Sequence, residues 1–157
     1  MQKITPFLWF DGKAEEAMNF YTGIFKNSRV VDVMRYGEAG PGPKGSVLAV
    51  TFQLEGQEFI ALNGGPMFKF SPAISLFGKC ETQEEVDEFW AKLSEGGETQ
   101  QCGWLTDKFG VSWQIVPTVL GTMLRDKDAA KAKRVMEAMM KMVKLDINLL
   151  TQAYEQR

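Results

Sequence analysis

The sequence contains no histidine among its 157 residues, and this absence excludes several classes of catalytic site. Histidine is the usual general base near neutral pH and the commonest metal ligand in proteins. Nucleophiles activated by a Ser-His or Cys-His pair are therefore excluded, as is every zinc site that contains His. Any chemistry would have to use carboxylates, Lys, Tyr, Cys or a metal ion held by oxygen ligands.

Cysteine is scarce as well, with Cys80 and Cys102 far apart and outside any C-x-x-C motif. This usage is typical of a reduced, cytoplasmic protein with two structural thiols. The N-terminus lacks the basic region, apolar run and cleavage site of a secretory signal. Since no apolar run approaches the roughly 20 residues of a membrane span, we expect a cytoplasmic protein without a membrane partner.

Strong charge of one sign is also lacking, because the net charge is −2 and acidic and basic residues are interspersed along the chain. Nucleic-acid-binding proteins concentrate Lys and Arg on one face, so we expect no nucleic-acid partner. Hydrophobic residues make up 45% and charged residues 24%, which are ordinary globular values. The length fits one domain, or one domain built of two halves, that folds without disulfides or metal.

The first part of the chain predicts a strand, a helix and three further strands. Alternating and helical hydrophobic spacing define these elements, and Pro6 indicates an edge position or a bulge in the first strand. A Gly- and Pro-rich loop at 37–45 and a second loop at 63–71 are either lids over a binding site or slack connections. The predicted elements are Lys3–Phe10, the helix Lys13–Phe25, Arg29–Tyr36, Ser46–Leu54 and Glu58–Leu62.

The same order of elements then begins again about seventy residues later. A strand at Ala73–Gly78 precedes a helix that starts with the capping box Thr82-x-x-Glu85 and ends at Gly96-Gly97. Strands at Gln100–Leu105 and Val111–Val116 follow. We interpret this as an internal duplication, with modules at about 1–65 and 72–117 forming one domain over residues 1–117.

The stretch from Gly103 to Pro117, GWLTDKFGVSWQIVP, contains the most informative strand. Apolar residues alternate there with polar ones, so that Gln114 lies in the middle of the more polar face. Gln114 is then either solvated, which the strand alone favours, or the floor of a polar pocket. Asp107 is expected to cap the preceding turn rather than to act in catalysis, and Cys102 to be a structural thiol.

Beyond Pro117 the chain predicts a helical extension over residues 118–157. A short helical turn at Thr118–Leu124 precedes a helix capped by Asp126 or Asp128, and Asp146 caps a last helix. The middle helix has a Met-rich face, which is more often a packing surface than a cofactor site. We expect the extension to pack on the domain or on a dimer partner, although a basic amphipathic helix can also lie on a membrane.

Three segments carry a family resemblance: ITPFLWFDGKAEEAMNFY, the NGGP loop and CGWLTDKFGVSWQIVP. With the duplication, they resemble the vicinal oxygen chelate superfamily of glyoxalases, bleomycin-resistance proteins and extradiol dioxygenases, and within it the PhnB-like, 3-demethylubiquinone methyltransferase-like subgroup. The resemblance implies an α+β fold in which duplicated βαβββ modules surround a small-molecule cavity. It also implies a homodimer, because members of this superfamily commonly pair.

In metal-dependent members of the superfamily, a divalent ion takes one ligand from each of four strands. The matching positions here hold Thr5, Asn63, Ser75 and Gln114. Four neutral oxygen donors bring no negative charge, whereas hard cations are normally held by carboxylates and zinc or iron by His or Cys. The resemblance therefore implies a site without a tightly bound metal or other cofactor, in which these side chains hydrogen bond to a polar small molecule.

Aromatic side chains are expected to line this site or simply to form the core. The candidates are Phe7, Trp9, Phe59, Phe77 and Trp113, of which Trp9 and Phe77 are the predicted ligand contacts. A methyltransferase of the Rossmann type would need a Gly-rich turn that opens a helix, and neither GPGPKG nor NGGP does so.

Three functions stay open: a binding protein or enzyme for a small organic ligand without a tight metal; a lyase, isomerase or dioxygenase with a weakly held divalent cation; and a non-catalytic dimeric interaction protein. No substrate follows from the fold.

Overall fold

The structure is a computed structural model that describes residues 1–156, in which two four-stranded sheets and five helices are found. The chain divides into two compact units, the first covering Met1–Phe70 and the second beginning at Ser71. None of the described helices is long and apolar enough to cross a membrane. The elements are β1 (Phe7–Phe10), α1 (Ala14–Ile24), β2 (Ser28–Arg35), β3 (Val47–Leu54), β4 (Gln57–Asn63), β5 (Ser75–Cys80), α2 (Gln83–Ser94), β6 (Glu98–Thr99), β7 (Trp104–Thr106), β8 (Ser112–Pro117), α3 (Thr118–Leu124), α4 (Ala129–Met140) and α5 (Ile147–Glu155).

Both units repeat one topology, with strand orders β1-β4-β3-β2 and β5-β8-β7-β6. In each sheet the first strand is parallel to the last, and the other neighbouring strands are antiparallel. The helix that follows the first strand contacts one face of its own sheet. The predicted α+β fold with duplicated βαβββ modules is therefore confirmed.

The first unit buries the face of its sheet that packs on α1. Tyr21 of the helix stacks on Phe52 at 6.3 Å between ring centroids, and Phe52 stacks on Phe59 at 5.7 Å. Because side chains alternate along a strand, Phe7, Trp9, Ile60 and Leu62 point to the other side. We call the side of each sheet away from its helix the open face.

The second unit packs α2 on its sheet in the same way, through the fully buried Val86 and Leu93. The predicted capping box starts this helix, because Thr82 Oγ1 accepts a hydrogen bond from Glu85 N over 3.2 Å. The Glu85 carboxylate accepts from Glu81 N over 2.7 Å, one residue before the position that the motif usually occupies. Trp113 and Ile115 of β8 are buried on the helix side.

Two predicted strands differ from the observed ones. The first strand is shorter than Lys3–Phe10, since it begins at Phe7 after Pro6, whose carbonyl still accepts a hydrogen bond from Ile60 N over 3.0 Å. The predicted strand Gln100–Leu105 is wrong. Cys102 and Gly103 both have positive φ there, 60° and 82°, and form a tight turn between β6 and β7. Alternation alone did not reveal this turn.

The C-terminal extension packs on the second module, within the same compact unit. Its buried cluster includes Val116 of β8, with Leu120, Met123, Val135, Leu145 and Leu150 from the extension itself. The β6–β7 turn is tied to the chain between α4 and α5 by Cys102 N to Met142 O and Gly103 N to Val143 O, at 2.9 and 2.8 Å. The structure thus groups the extension with the second module, whereas the sequence grouped both modules as residues 1–117.

Side chains of α2 hold the same segment. Gln83 donates to Leu145 O over 3.1 Å and accepts from Ile147 N over 2.7 Å. Lys144 lies 2.8 Å from Asp87, and its hydrogen bond holds the pKa of that carboxyl below the ordinary value. Asp128 and Asp146 cap α4 and α5, and of the two caps that the sequence left open for α4, the structure has Asp128.

Candidate functional site

The open face of the second sheet brings Gln114 and Ser75 together. Gln114 Nε2 donates to Ser75 Oγ over 3.1 Å, joining β8 to β5. In the strand register, Gln114 lies between Phe77 on one side and Trp104 on the other. Adjacent strands are about 4.8 Å apart, so Gln114 is flanked by two aromatic side chains in one short row. Ser75 lies beside this row, two residues before Phe77 on β5.

This polar pair keeps hydrogen-bonding capacity for a further molecule. The bond to Ser75 uses one N–H of Gln114, and the amide has a second N–H and a carbonyl oxygen. Among the described residues, nothing donates a hydrogen bond to that carbonyl oxygen. Both side chains are half-buried, and Phe77 is exposed, so the row is accessible. It can offer a donor and an acceptor at one point between two apolar surfaces.

Asp107 holds the turn that leads into β8. Its Oδ1 accepts from Phe109 N and Val111 N over 2.9 and 3.0 Å, and its Oδ2 accepts from Trp113 Nε1 over 2.9 Å. The side chain is only 2% exposed. The predicted turn-capping role is confirmed, and the carboxylate fixes the residue immediately before Gln114.

Asn63 has a different position from the one predicted. It has the same orientation as Ala61, toward α1 rather than toward the open face. Its Oδ1 accepts from Ala14 N over 2.9 Å, and its Nδ2 donates to Val47 O over 3.1 Å. The carbonyl oxygen therefore holds the start of α1, and the amide nitrogen holds the start of β3, so both polar groups of Asn63 are engaged within the first unit.

Trp9 lies on the open face of the first sheet, where the 64–70 loop covers it. Its Nε1 donates to Gly65 O over 2.8 Å, and its ring meets the edge of Phe68 at 4.9 Å. A Cβ at Gly64 would lie 2.4 Å from the Trp9 ring, so only glycine fits there. The loop is thus anchored on Trp9 rather than slack.

Thr5 lies before β1 and accepts a long hydrogen bond of 3.4 Å from Gln2 Nε2. The predicted strand Lys3–Phe10 included Thr5, whereas the observed strand β1 begins two residues after it.

The 37–45 loop is packed around one aromatic ring. It joins β2 to β3, and Tyr36 N and O bond to Ser46 O and Gly45 N over 2.9 and 2.8 Å. A Cβ at Gly42 would lie 2.3 Å from the Tyr36 ring. The glycines of this loop therefore serve close packing on Tyr36.

The two thiols have different surroundings. Burial raises the pKa of Cys80 to about 12, with a further increase from the nearby carboxylates of Glu85 and Glu81. A thiol that stays protonated near neutral pH is a poor nucleophile. Cys102 is half-buried, and its backbone forms the β6–β7 turn.

Sequence reasoning missed Trp104 as a neighbour of Gln114. The wrong strand at Gln100–Leu105 hid its pairing, which depends on the β6–β7 turn. Of the other aromatic candidates, Phe59 and Trp113 are buried on the helix side of their sheets, where they form core. Phe7 and Phe77 lie on open faces.

A model of the family described as 3-demethylubiquinone-9 3-methyltransferase matches residues 2–116. The structure of a PhnB protein from Bacillus cereus with the same family description is 47% identical, covering 74% of this chain and 100% of that one, with a TM-score of 0.69. No curated protein gives a significant match.

More distant structures share the fold. Protein PA1353 from Pseudomonas aeruginosa is 20% identical over 74% of this chain and 98% of its own, with a TM-score of 0.62. The fosfomycin resistance protein FosX from Listeria monocytogenes is 15% identical over 80% and 98%, with a TM-score of 0.57. Together with the duplicated βαβββ topology, the family match shows that the chain belongs to the PhnB-like, 3-demethylubiquinone-9 3-methyltransferase family of the vicinal oxygen chelate superfamily.

Proposed function

We propose that the open face of the second sheet binds a small organic molecule. Gln114 and Ser75 are the polar contacts, and Phe77 and Trp104 are the apolar contacts. The observation that supports this most is the position of Gln114, which lies between two aromatic neighbours and is held by a hydrogen bond of 3.1 Å to Ser75. Sites for small molecules are mostly apolar and have a few polar groups that fix orientation.

The proposed site works without a tightly bound metal. A FosX structure was solved with Mn(II), but at 16% identity it supports a shared fold and not a shared ligand. At the positions that match metal ligands, this chain has the neutral side chains of Thr5, Asn63, Ser75 and Gln114, and both polar groups of Asn63 are already engaged. Hard divalent cations normally require carboxylate ligands, so this donor set does not fit one.

The proposal does not extend to methyl transfer, in spite of the family description. A Rossmann-type site for S-adenosylmethionine needs a Gly-rich turn between a strand and the helix that follows it. Here the Gly37–Gly45 loop joins β2 to β3, and Gly64 and Gly65 follow β4 on the way to β5. The proposed site either binds or transforms its ligand, and both require the same four contacts.

We also propose that the protein is a cytoplasmic homodimer. Exposed apolar side chains on the sheets, such as Phe7 at 58% and Met34 at 53%, favour association. Both cysteines are free thiols, which suits a reducing compartment. Size-exclusion chromatography with light scattering should give twice the chain mass of 17.7 kDa, and a monomer across the concentration range would contradict this.

A thermal-unfolding screen of small organic acids, amides and alcohols tests the binding proposal. A ligand at about a hundred times its dissociation constant adds roughly 2.7 kcal/mol, which raises the unfolding midpoint by several degrees. Hits should disappear in Gln114→Ala and persist in Gln152→Ala, an exposed glutamine of α5. A screen without hits, or hits that survive Gln114→Ala and Phe77→Ala, would contradict the proposal.

The same assay with divalent cations tests the absence of a tight metal. We expect no shift with Mn²⁺, Ni²⁺ or Zn²⁺. A rise that a chelator reverses would overturn this part of the proposal.

A further inference from the structure

The open face of the second sheet carries one charged side chain close to Gln114. Lys79 is the single Asp, Glu, Lys or Arg within β5, β7 and β8. Alternation along β5 places it on the same side as Ser75 and Phe77, and it is exposed. The site therefore has local positive charge, although the chain as a whole has a net charge of −2.

The Lys79 ammonium is not neutralised by any residue between 1 and 156. No carboxylate in the described residues lies within ion-pair distance of it. The carboxylate on the same face is Glu98 of β6, which pairs with Thr106 at the far edge of the sheet. Three strand spacings of about 4.8 Å separate β6 from β5. Other lysines do have carboxylate partners within 4.0 Å, namely Lys13, Lys44, Lys92, Lys133 and Lys144.

The position of Lys79 lets it act together with Gln114. In the parallel register, Phe77 is opposite Gln114 and Lys79 is opposite Val116, two residues further along. That offset is about 6.6 Å along the strand and one strand spacing across. The flexible four-carbon side chain of lysine can span this distance and bring its ammonium next to the Gln114 amide.

We propose that this face binds a flat, conjugated carboxylic acid in its ionised form. The ring of the acid lies against Phe77 and Trp104, and its carboxylate accepts hydrogen bonds from the Lys79 ammonium and the free N–H of Gln114. Hydrogen bonds between charged groups are the stronger kind, and an ammonium acts as a point charge for an anion. The same charge opposes binding of a divalent cation on this face. This inference rests on the proposed function and adds the chemical class of its ligand.

The test compares two probes with one ring and different charge, 1-naphthoate and 1-naphthamide. Binding of each to the full chain is measured by titration calorimetry or ligand-observed NMR at low ionic strength. We expect naphthoate to bind about five- to tenfold more tightly than naphthamide, since a charge-assisted hydrogen bond exceeds a neutral one by about 1 kcal/mol. Added salt should reduce this preference.

Three variants locate the effect. Lys79→Met should remove the preference for naphthoate and leave naphthamide binding unchanged, whereas Lys79→Arg should keep most of the preference. Lys127→Met, an exposed lysine between α3 and α4, is the matched control and should change nothing. Circular dichroism of each variant confirms that it is folded.

The outcomes separate this inference from the proposed function. Equal binding of both probes to the wild type, or an unchanged preference in Lys79→Met, would overturn the acid specificity while the site at Gln114 stands. Binding of neither probe would also overturn it, and the broad screen then decides on the site. Loss of both probes in Gln114→Ala, with loss of only the preference in Lys79→Met, would support both proposals.

Discussion

The two modules share one topology but differ at the centre of the last strand on their open faces. That position is Ile60 in the first module, between Glu58 and Leu62, and Gln114 in the second, between Ser112 and Val116. The polar residue that ends β4, Asn63, faces the helix and caps it. The face of the strand on which an amide side chain lies therefore decides whether it holds the helix or remains available to a ligand.

The second module also has a firmer support behind its polar residue. Asp107 accepts three hydrogen bonds around the turn before β8, and the C-terminal helices pack against the other end of that strand at Val116. Binding contacts are precise when the elements that carry them are rigid. The strand that carries the proposed binding residue is therefore held at both of its ends.

Replacement of Asp107 by Ala should have the largest effect on the second module. It would leave the buried Val111 N–H, the half-buried Phe109 N–H and the Trp113 indole N–H without this acceptor. Each unsatisfied buried group costs about 1–3 kcal/mol, so we expect the free energy of unfolding to fall by about 4 kcal/mol. Urea unfolding measures this loss.

The matched control is Asp32→Ala, an exposed aspartate of β2, which should change stability by less than about 0.5 kcal/mol. Hydrogen exchange should show the loss of protection first in β7 and β8. Equal effects of the two substitutions would contradict the special support assigned to the second module.

Replacement of Leu145 by Ala should test the C-terminal support. Leu145 is fully buried, and its side chain lies against Gly103, where a Cβ would approach to 3.0 Å. Removing it leaves a cavity between the extension and the β6–β7 turn, with an expected loss of about 3 kcal/mol. Thermal or urea unfolding measures this value.

Leu149→Ala is the control, because that side chain of α5 is 49% exposed and should cost less than about 0.5 kcal/mol. A loss of protection against hydrogen exchange confined to α3–α5, without any in β7 and β8, would show that the extension does not support the sheet.

Much of the fold could be predicted from the sequence because its signals are local. The capping residues Thr82, Asp128 and Asp146 each start a helix that spacing predicted. The repeated order of elements, together with the family resemblance, predicted two βαβββ modules, although the strands of the second sheet were only partly placed. The β6–β7 turn was missed because Cys102 adopts a positive φ, which a cysteine rarely does. Its conformation depends on hydrogen bonds to the α4–α5 segment, more than 35 residues away.

The candidate site was only partly accessible from the sequence. Strand alternation correctly placed Gln114 on the opposite face of β8 from Trp113 and Ile115. The family resemblance added Ser75 to the same site. The orientation of Asn63 depends on the register of β4 against β1 and on the unsatisfied N–H at the start of α1, which are properties of the packed module. Trp104 and Lys79 lie near Gln114 because of the way the strands pair, and no spacing in the sequence predicts that pairing.

The comparison between the modules can be tested most directly with Asn63→Ala and Gln114→Ala. Both replace a half-buried amide side chain in the last strand of a module. Asn63 holds Ala14 N and Val47 O, so its loss should cost about 1–2 kcal/mol, like the loss of a helix cap. Gln114 bonds only to the Ser75 hydroxyl, so its loss should cost less than about 0.5 kcal/mol.

Ligand protection in the thermal screen should show the reverse order. Asn63→Ala should keep the shift that a hit produces, because the open face of the second sheet is unchanged, whereas Gln114→Ala should lose it. If Asn63→Ala left stability unchanged but removed ligand protection, its amide would belong to the site after all. The two modules would then not differ in the way argued above, because Asn63 of the first module would contact the ligand instead of stabilising the start of the helix.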